Sequence, residues 1–196
     1  MRIAFFALLA FAISAQAGEP ASVYTKLDTK KDCTVFASAG EGAGDWANLV
    51  CTGYKGYPVY LYHSDLRESV HYGFTASPAE PSKWESFAGF NSTSGTIEWR
   101  LAGSGDQKIP FATIHRWSIE ESGRKSVEVL AIEKVGQISN REGCAVGYVV
   151  ATKNPNANVQ AREVADTLAA GFKCGLDQPA IRQGSVPLPQ LMVQER

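Results

Sequence analysis

The stretch Tyr57-Pro58-Val59-Tyr60-Leu61-Tyr62-His63, continuing through Ser64-Asp65 into Leu66-Arg67-Glu68-Ser69-Val70-His71-Tyr72-Gly73-Phe74, decides the fold class. Val59 and Leu61 fall on one face of an extended chain, Tyr60 and Tyr62 on the other. In the second half, Leu66, Val70, Tyr72 and Phe74 share a face, with Glu68 as its polar exception. Arg67, Ser69, His71 and Gly73 share the opposite face. This period of two predicts a pair of half-buried antiparallel strands. Pro58 suits the first residue or the edge of a strand, where no ladder donor is needed.

Working outward, residues 33–37 and 46–51 read as strands around a small-residue loop at 38–45, and Gly53 to Gly56 reads as a turn. Residues 96–101 alternate again, with Ile97, Trp99 and Leu101 inward and Glu98 and Arg100 outward. Three more strands are expected at 109–119, 126–135 and 144–151. The 75–83 stretch is a proline-containing loop, and 84–90 reads as a short helical turn. One helix is expected near the end. Asn154 is its cap, Pro155 its first residue, and Ala161, Val164, Ala165, Leu168 and Phe172 its apolar stripe. Lys173 would close its last turn, with Cys174 at its end and Gly175 just past it. The expected architecture is α+β: a twisted antiparallel sheet of seven or eight strands with one C-terminal helix packed on it. It would occupy residues 18–175 as a single domain. Residues 176–196 carry three prolines without periodicity and read as a flexible tail, with Val186 to Pro189 an extended segment suited to docking on a partner.

The chain has 196 residues, a formal net charge of -1, 44% hydrophobic residues and 20% charged residues. That is globular composition. It excludes wholesale disorder and a polytopic membrane protein, and the absence of a basic block argues against nucleic acid as a partner. Residues 1–17, MRIAFFALLAFAISAQA, have the form of a cleaved signal peptide: a basic Arg2, an apolar run and a small-x-small site at Ala15 to Ala17. The 11 apolar residues from Ile3 to Ile13 rise about 16 Å as a helix, against about 30 Å of hydrocarbon in a bilayer. The sequence therefore predicts a periplasmic or secreted protein without a transmembrane segment. Four cysteines behind such a leader read as disulfides. Three pairings exist; Cys33–Cys51 and Cys144–Cys174 are favoured because each joins residues close in sequence. No C-x2-C spacing supports a zinc site, and no metal or other cofactor is expected.

The run Cys51-Thr52-Gly53-Tyr54-Lys55-Gly56-Tyr57-Pro58-Val59-Tyr60, with the later Asn154-Pro155-Asn156-Ala157-Asn158-Val159-Gln160-Ala161-Arg162-Glu163-Val164-Ala165-Asp166, resembles a family of small exported alphaproteobacterial proteins. The resemblance spans roughly residues 22–176. It implies an envelope or secreted location in a bacterium and assigns no reaction.

None of the familiar catalytic patterns occurs: no H-E-x-x-H, no G-x-S-x-G, no Walker loop and no dinucleotide fingerprint. His63-Ser64-Asp65 holds the residue types of a hydrolytic triad, but neighbours in sequence do not reach triad geometry, and turn chemistry accounts for Ser64-Asp65. His63, Asp65 and His71 fit no recognised metal spacing. His115 reads as a satisfied half-buried histidine on a face with Phe111, Trp117 and Ile119. Asn91-Ser92-Thr93 matches a glycosylation pattern and reads as a surface loop. The tyrosines are the strongest candidate site. Tyr54, Tyr57, Tyr60 and Tyr62, beside Arg67 and His71, would form an amphipathic patch of the kind enriched at interfaces. The expected function is a non-enzymatic exported binding module of the bacterial periplasm, inhibitor-like or envelope-associated, whose partner is a protein, peptide or envelope component. Its rivals are a secreted effector acting in a host cell, and a hydrolase or metal enzyme using His63, His71 and His115.

Overall fold

The computed structural model describes residues 19–79, 83–120 and 125–195. The signal-peptide reading of residues 1–17 falls outside them. Twelve strands and one α-helix are found among the described residues. They are β1 (Ala21–Lys26), β2 (Cys33–Ser38), β3 (Trp46–Thr52), β4 (Pro58–Ser64), β5 (Arg67–Tyr72), β6 (Lys83–Phe87), β7 (Asn91–Ala102), β8 (Ile109–Ile119), β9 (Val127–Lys134) and β10 (Ala145–Val150), then α1 (Ala157–Leu168), β11 (Ala180–Arg182) and β12 (Leu191–Glu195).

The strands do not make one sheet. They form a six-stranded sheet in the order β1-β7-β8-β9-β10-β11, a four-stranded sheet β2-β3-β4-β5, and a ribbon β12-β6. Only β11 on β10 is parallel within the six-stranded sheet. The mainly β character and the single helix stand as expected; the strand number and the single sheet are corrected. Alternation reports which face of a strand is apolar, not which sheet receives it, and large twisted sheets tend to split into stacked ones.

Three layers result. Val59, Leu61, Val70 and Tyr72 of the four-stranded sheet meet Ile97, Trp99, Leu101, Trp117 and Val129 of the six-stranded sheet in the main core. The other face of the six-stranded sheet is covered by α1, whose Ala157, Ala161, Val164 and Ala165 lie against Ala112, Ile114, Leu130, Ile132 and Val146. Glu98 and Arg100, expected outward, are therefore buried beneath the helix. Each is paired there: Arg162 donates Nε to Glu98 at 2.6 Å, and Arg100 grips the Asp166 carboxylate with Nε at 2.8 Å and Nη2 at 2.6 Å.

The helix boundaries also shift. Asn156 is its N-cap, and the Asn154 side chain instead accepts from the Asn156 N–H at 3.1 Å, two residues earlier. Ala169 takes the buried place expected for Leu168, which is exposed, while Phe172, Lys173 and Cys174 lie beyond the helix end. The disulfides are Cys33–Cys51, joining opposite residues of β2 and β3, and Cys144–Cys174, joining the start of β10 to the segment after the helix.

Two segments were misread. Residues 84–90 begin not as a helical turn but as part of β6, with Trp84 and Phe87 buried. Residues 176–196 are not an unattached tail: β11 extends the large sheet, β12 pairs with β6, and Val186 and Leu188 pack on the protein's own core. Neither segment has an alternating signal of its own, because each borrows its partner from a distant part of the chain. Asn91 is not in a surface loop either. It is 7% exposed, and its amide donates to Gly89 O at 2.8 Å and Phe87 O at 3.2 Å while accepting from the Glu68 N–H.

Backbone hydrogen bonds tie the four-stranded sheet to the six-stranded one at the Asn91 N–H, which donates to Leu66 O at 3.0 Å in the β4–β5 turn, and at a closer approach beyond the end of β5. Phe74 N–H donates to Gly136 O at 2.9 Å, and Gly136 N–H to Tyr72 O at 2.8 Å. A Cβ on Gly136 would sit 2.0 Å from Phe74 O, and one on Gly73 would sit 2.3 Å from Gly136 O, at a φ of +85°. Only glycines allow this contact. Gly136→Ala is therefore expected to cost at least about 2 kcal/mol of stability in urea unfolding, while Gly184→Ala, with nothing near its added carbon, is expected to change it by less than about 0.5 kcal/mol.

Candidate functional site

His71 lies two residues before Gly73, and Glu133 lies three before Gly136, so the backbone tie brings these side chains to one place. Between them is a cavity of about 710 Å³. Its walls come from β4 and β5 (Tyr62, Ser69, His71), from β6 (Lys83, Glu85), from β9 (Glu133), and from the 140–144 loop with the Cys144–Cys174 disulfide. The β6 wall is held by side chains: Ser69 Oγ accepts from Glu85 N–H at 3.2 Å, and Ser86 Oγ donates to Glu68 O at 2.6 Å. Gly143 closes on the His71 ring so tightly that a Cβ there would lie 2.6 Å from its Cε1.

Two carboxyl groups dominate the site. Glu133 is only 5% exposed and has no hydrogen-bond partner among the described residues, yet it lines the cavity. Burial pushes its carboxyl well above its ordinary value, and the nearby Glu85 charge adds to the rise. Glu85 accepts the Ala145 N–H at 2.9 Å. Burial raises it as well, opposed by that bond and by the Lys83 charge. Behind them burial, and then the two carboxylates, drive the Tyr148 hydroxyl well above its usual range. Burial holds the His71 imidazole below its ordinary value, against a 3.4 Å bond from Nε2 to Phe74 O. Glu142 at the rim is neutralised by Lys134 at 2.9 Å. Chemically, the floor of this cavity holds two carboxyl groups that burial inclines to keep their protons.

The structure divides the tyrosine patch. Tyr54 and Tyr57 pack on the main core, Tyr54 beside Trp99 and Tyr57 with its hydroxyl donating to Gln137 Oε1 at 2.9 Å. Tyr60 and His71 do come together across β4 and β5, with ring centroids 6.3 Å apart, and Phe36 stands edge-on to Tyr60. Tyr62 is on the same strand face but is buried, its hydroxyl donating to Pro78 O at 2.9 Å; it lines the cavity rather than an open surface. Arg67 is at the other end of β5, bonded to Ala88 O and the Asp65 carboxylate and stacked over Phe90.

The three imidazoles occupy three separate places. His71 is at this cavity and His63 at a smaller one of about 270 Å³. His115 is 1% exposed in the core. The Ser94 carbonyl can only accept, so His115 donates from Nε2 at 2.6 Å, and Nδ1 accepts from the Tyr72 hydroxyl at 2.6 Å. Burial pulls this imidazole down to about 4, against the Ser94 bond. Among the described residues no group of three or more His, Cys, Asp or Glu is placed to hold a metal ion, and the cysteines are all in disulfides.

Glu85 and Glu133 were not singled out by sequence. A signal for Glu133 existed. Val127, Val129, Ala131, Glu133 and Val135 form one alternating series, and the four apolar members all lie in the main core. A glutamate in that series marks a buried carboxyl. Glu85 had no such signal, since its strand was not legible.

Comparison with protein-family models, with curated proteins and with solved structures finds no match.

The folded protein holds the Glu133 proton more tightly than the unfolded chain does. Above the ordinary value of 4.5 the folded state therefore carries the extra proton, and this group's contribution to stability falls as pH rises. Glu133→Gln removes that loss. In thermal unfolding the variant is expected to be more stable than the native protein at neutral pH, with an advantage that shrinks as pH is lowered toward 4.5. A variant less stable at neutral pH would contradict the placement of this carboxyl. His115 acts in the opposite sense: its contribution is present at neutral pH and is lost as pH falls from 6.5 toward about 4.

Proposed function

We propose that this chain is an exported, non-enzymatic binding module of the bacterial periplasm, and that it takes its ligand in the cavity between the sheets. One observation carries the reading: a nearly enclosed carboxyl, Glu133, faces that cavity without a partner among the described residues. Leaving a buried polar group unsatisfied costs on the order of 1–3 kcal/mol, and a fold retains such a group where something else satisfies it. The volume lies within the range of about 300–1,000 Å³ usual for small-molecule and side-chain receptors.

Two features favour a receptor over a reaction centre. His71 directs Nε2 at a backbone carbonyl and not at a nucleophile, and the sulfurs at the wall are bonded to each other. The paired cysteines and the leader pattern of residues 1–17 support an oxidising compartment outside the cytoplasm. No helix among the described residues is long and apolar enough to cross a membrane. The partner belongs to the class of proteins, peptides or envelope components. Phe36, Tyr60 and His71 offer it an aromatic face beside the cavity.

The test is cross-linked capture from a periplasmic extract, comparing the native protein with a Tyr60→Ala/Asn140→Trp variant. Asn140 is an exposed rim residue, so its indole would obstruct the mouth without touching the core. Near-ultraviolet circular dichroism checks the fold. Species retained by the native protein are expected to drop about tenfold or more with the variant, a difference of about 1.4 kcal/mol. Identical capture by both proteins would overturn the reading.

A further inference from the structure

We infer that the group seated at the floor of the cavity is an organic cation, a primary ammonium such as ends a diamine or a lysine side chain, held by the Glu133 and Glu85 carboxylates. This rests on the cavity being a binding site and names the chemistry of its ligand.

The charges around the cavity lead to this class. Glu133 is only 5% exposed and lines the cavity. Glu85, from the facing strand β6, is the charge that bears on it most, and that charge has the same sign. The basic groups of the wall are engaged or peripheral. Lys83 acts on Glu85, Lys134 is bound to Glu142 and to Phe172 O, and Arg141 lies exposed at the rim. Among the described residues no cation bears on Glu133; burial and the Glu85 charge are what act on it.

The contrast with Glu98 shows what is absent. Glu98 is also buried, 7% exposed, and burial pushes it upward; but the Arg162 and Ser22 hydrogen bonds and the Arg162 and Arg100 charges outweigh that and hold it below its ordinary value. Glu133 lies deeper in the protein than Glu98, and no guanidinium acts on it. An anionic ligand would add a third like charge to the floor. A neutral hydroxyl would supply one hydrogen bond and leave the buried carboxyl in its protonated form, with no opposite charge to favour the carboxylate. An ammonium supplies three donors and the opposite charge at once.

Three small molecules of equal length and different charge test this: 1,5-diaminopentane, 1,5-pentanediol and glutarate. Each is titrated calorimetrically into the whole folded protein and into Glu133→Gln and Glu85→Gln, at mildly alkaline pH. The diamine is expected to bind the native protein and to weaken by about tenfold or more in Glu133→Gln, with a smaller loss in Glu85→Gln, whose carboxyl also serves Ala145. The diol and the diacid are expected not to compete. If the diol or glutarate binds as well as the diamine, if Glu133→Gln keeps the diamine, or if none of the three binds, the cation assignment is overturned. Should it fall while Tyr60→Ala/Asn140→Trp still abolishes partner capture, the cavity remains a receptor for other chemistry. Should both fail, the cavity is not a binding site.

Discussion

The contact between Gly73 and Gly136 is the constraint on which the rest of the arrangement depends. Two sheets whose inner faces are lined by Trp99, Trp117 and Tyr72 would keep roughly side-chain distance throughout. Here the backbones touch, because neither residue has a Cβ, and a pair of hydrogen bonds runs directly from one sheet to the other. The consequence is local. Side chains just before the two glycines, His71 and Glu133, are drawn to a common space, and β6 and the 140–144 loop wall it off. The Cys144–Cys174 bond fixes that loop's far end to the segment following the helix. A structural joint and a candidate site are thus the same feature.

The energetic character of that feature differs from everything around it. Among the described residues the other buried charged groups named above, with His115 and Asn91, are matched: Arg100 with Asp166, Arg162 with Glu98, His115 between Tyr72 and Ser94, Asn91 with three backbone or hydroxyl partners. Each of these removes a desolvation penalty that burial would otherwise impose. Thr113 Oγ1 and Trp117 Nε1 are also buried without a hydrogen-bond partner among the described residues; Glu133 differs from them in being an ionisable group that lines a cavity. Stability surrendered at one polar group, in a fold that satisfies its neighbours, is the physical pattern of a binding site.

Much of this fold was legible. The period-two runs of β4, β5, β8 and β9 gave their extents to within a few residues, because each has a face in a core, while that of β7 gave its second half and left Asn91 to Gly95 unread. The cysteine pairs followed from proximity in sequence. The sheet partition was not legible, since Glu98 and Arg100 look solvent-facing until a helix covers them. β6 and β12 were missed because each is stabilised by the other across more than half the chain. Glu133 was harder to see for a related reason: tyrosines and histidines are conspicuous as residue types, and a glutamate is not. Tyr60 and His71 do lie together, but Tyr54 and Tyr57 serve the core. The informative residue was a commonplace glutamate at an apolar position of β9.

The central claim is that the Glu133 carboxyl is buried, uncompensated and turned toward the cavity. Side-chain carbon-13 NMR, following the carboxyl resonances of a glutamate-labelled sample with pH and assigning Glu133 from the Gln variant, reads it directly. The account predicts a Glu133 midpoint well above the ordinary value of 4.5 and above that of Glu98 in the same sample. A Glu133 midpoint at or below 4.5 would show a carboxylate already matched within the fold, and would contradict the account.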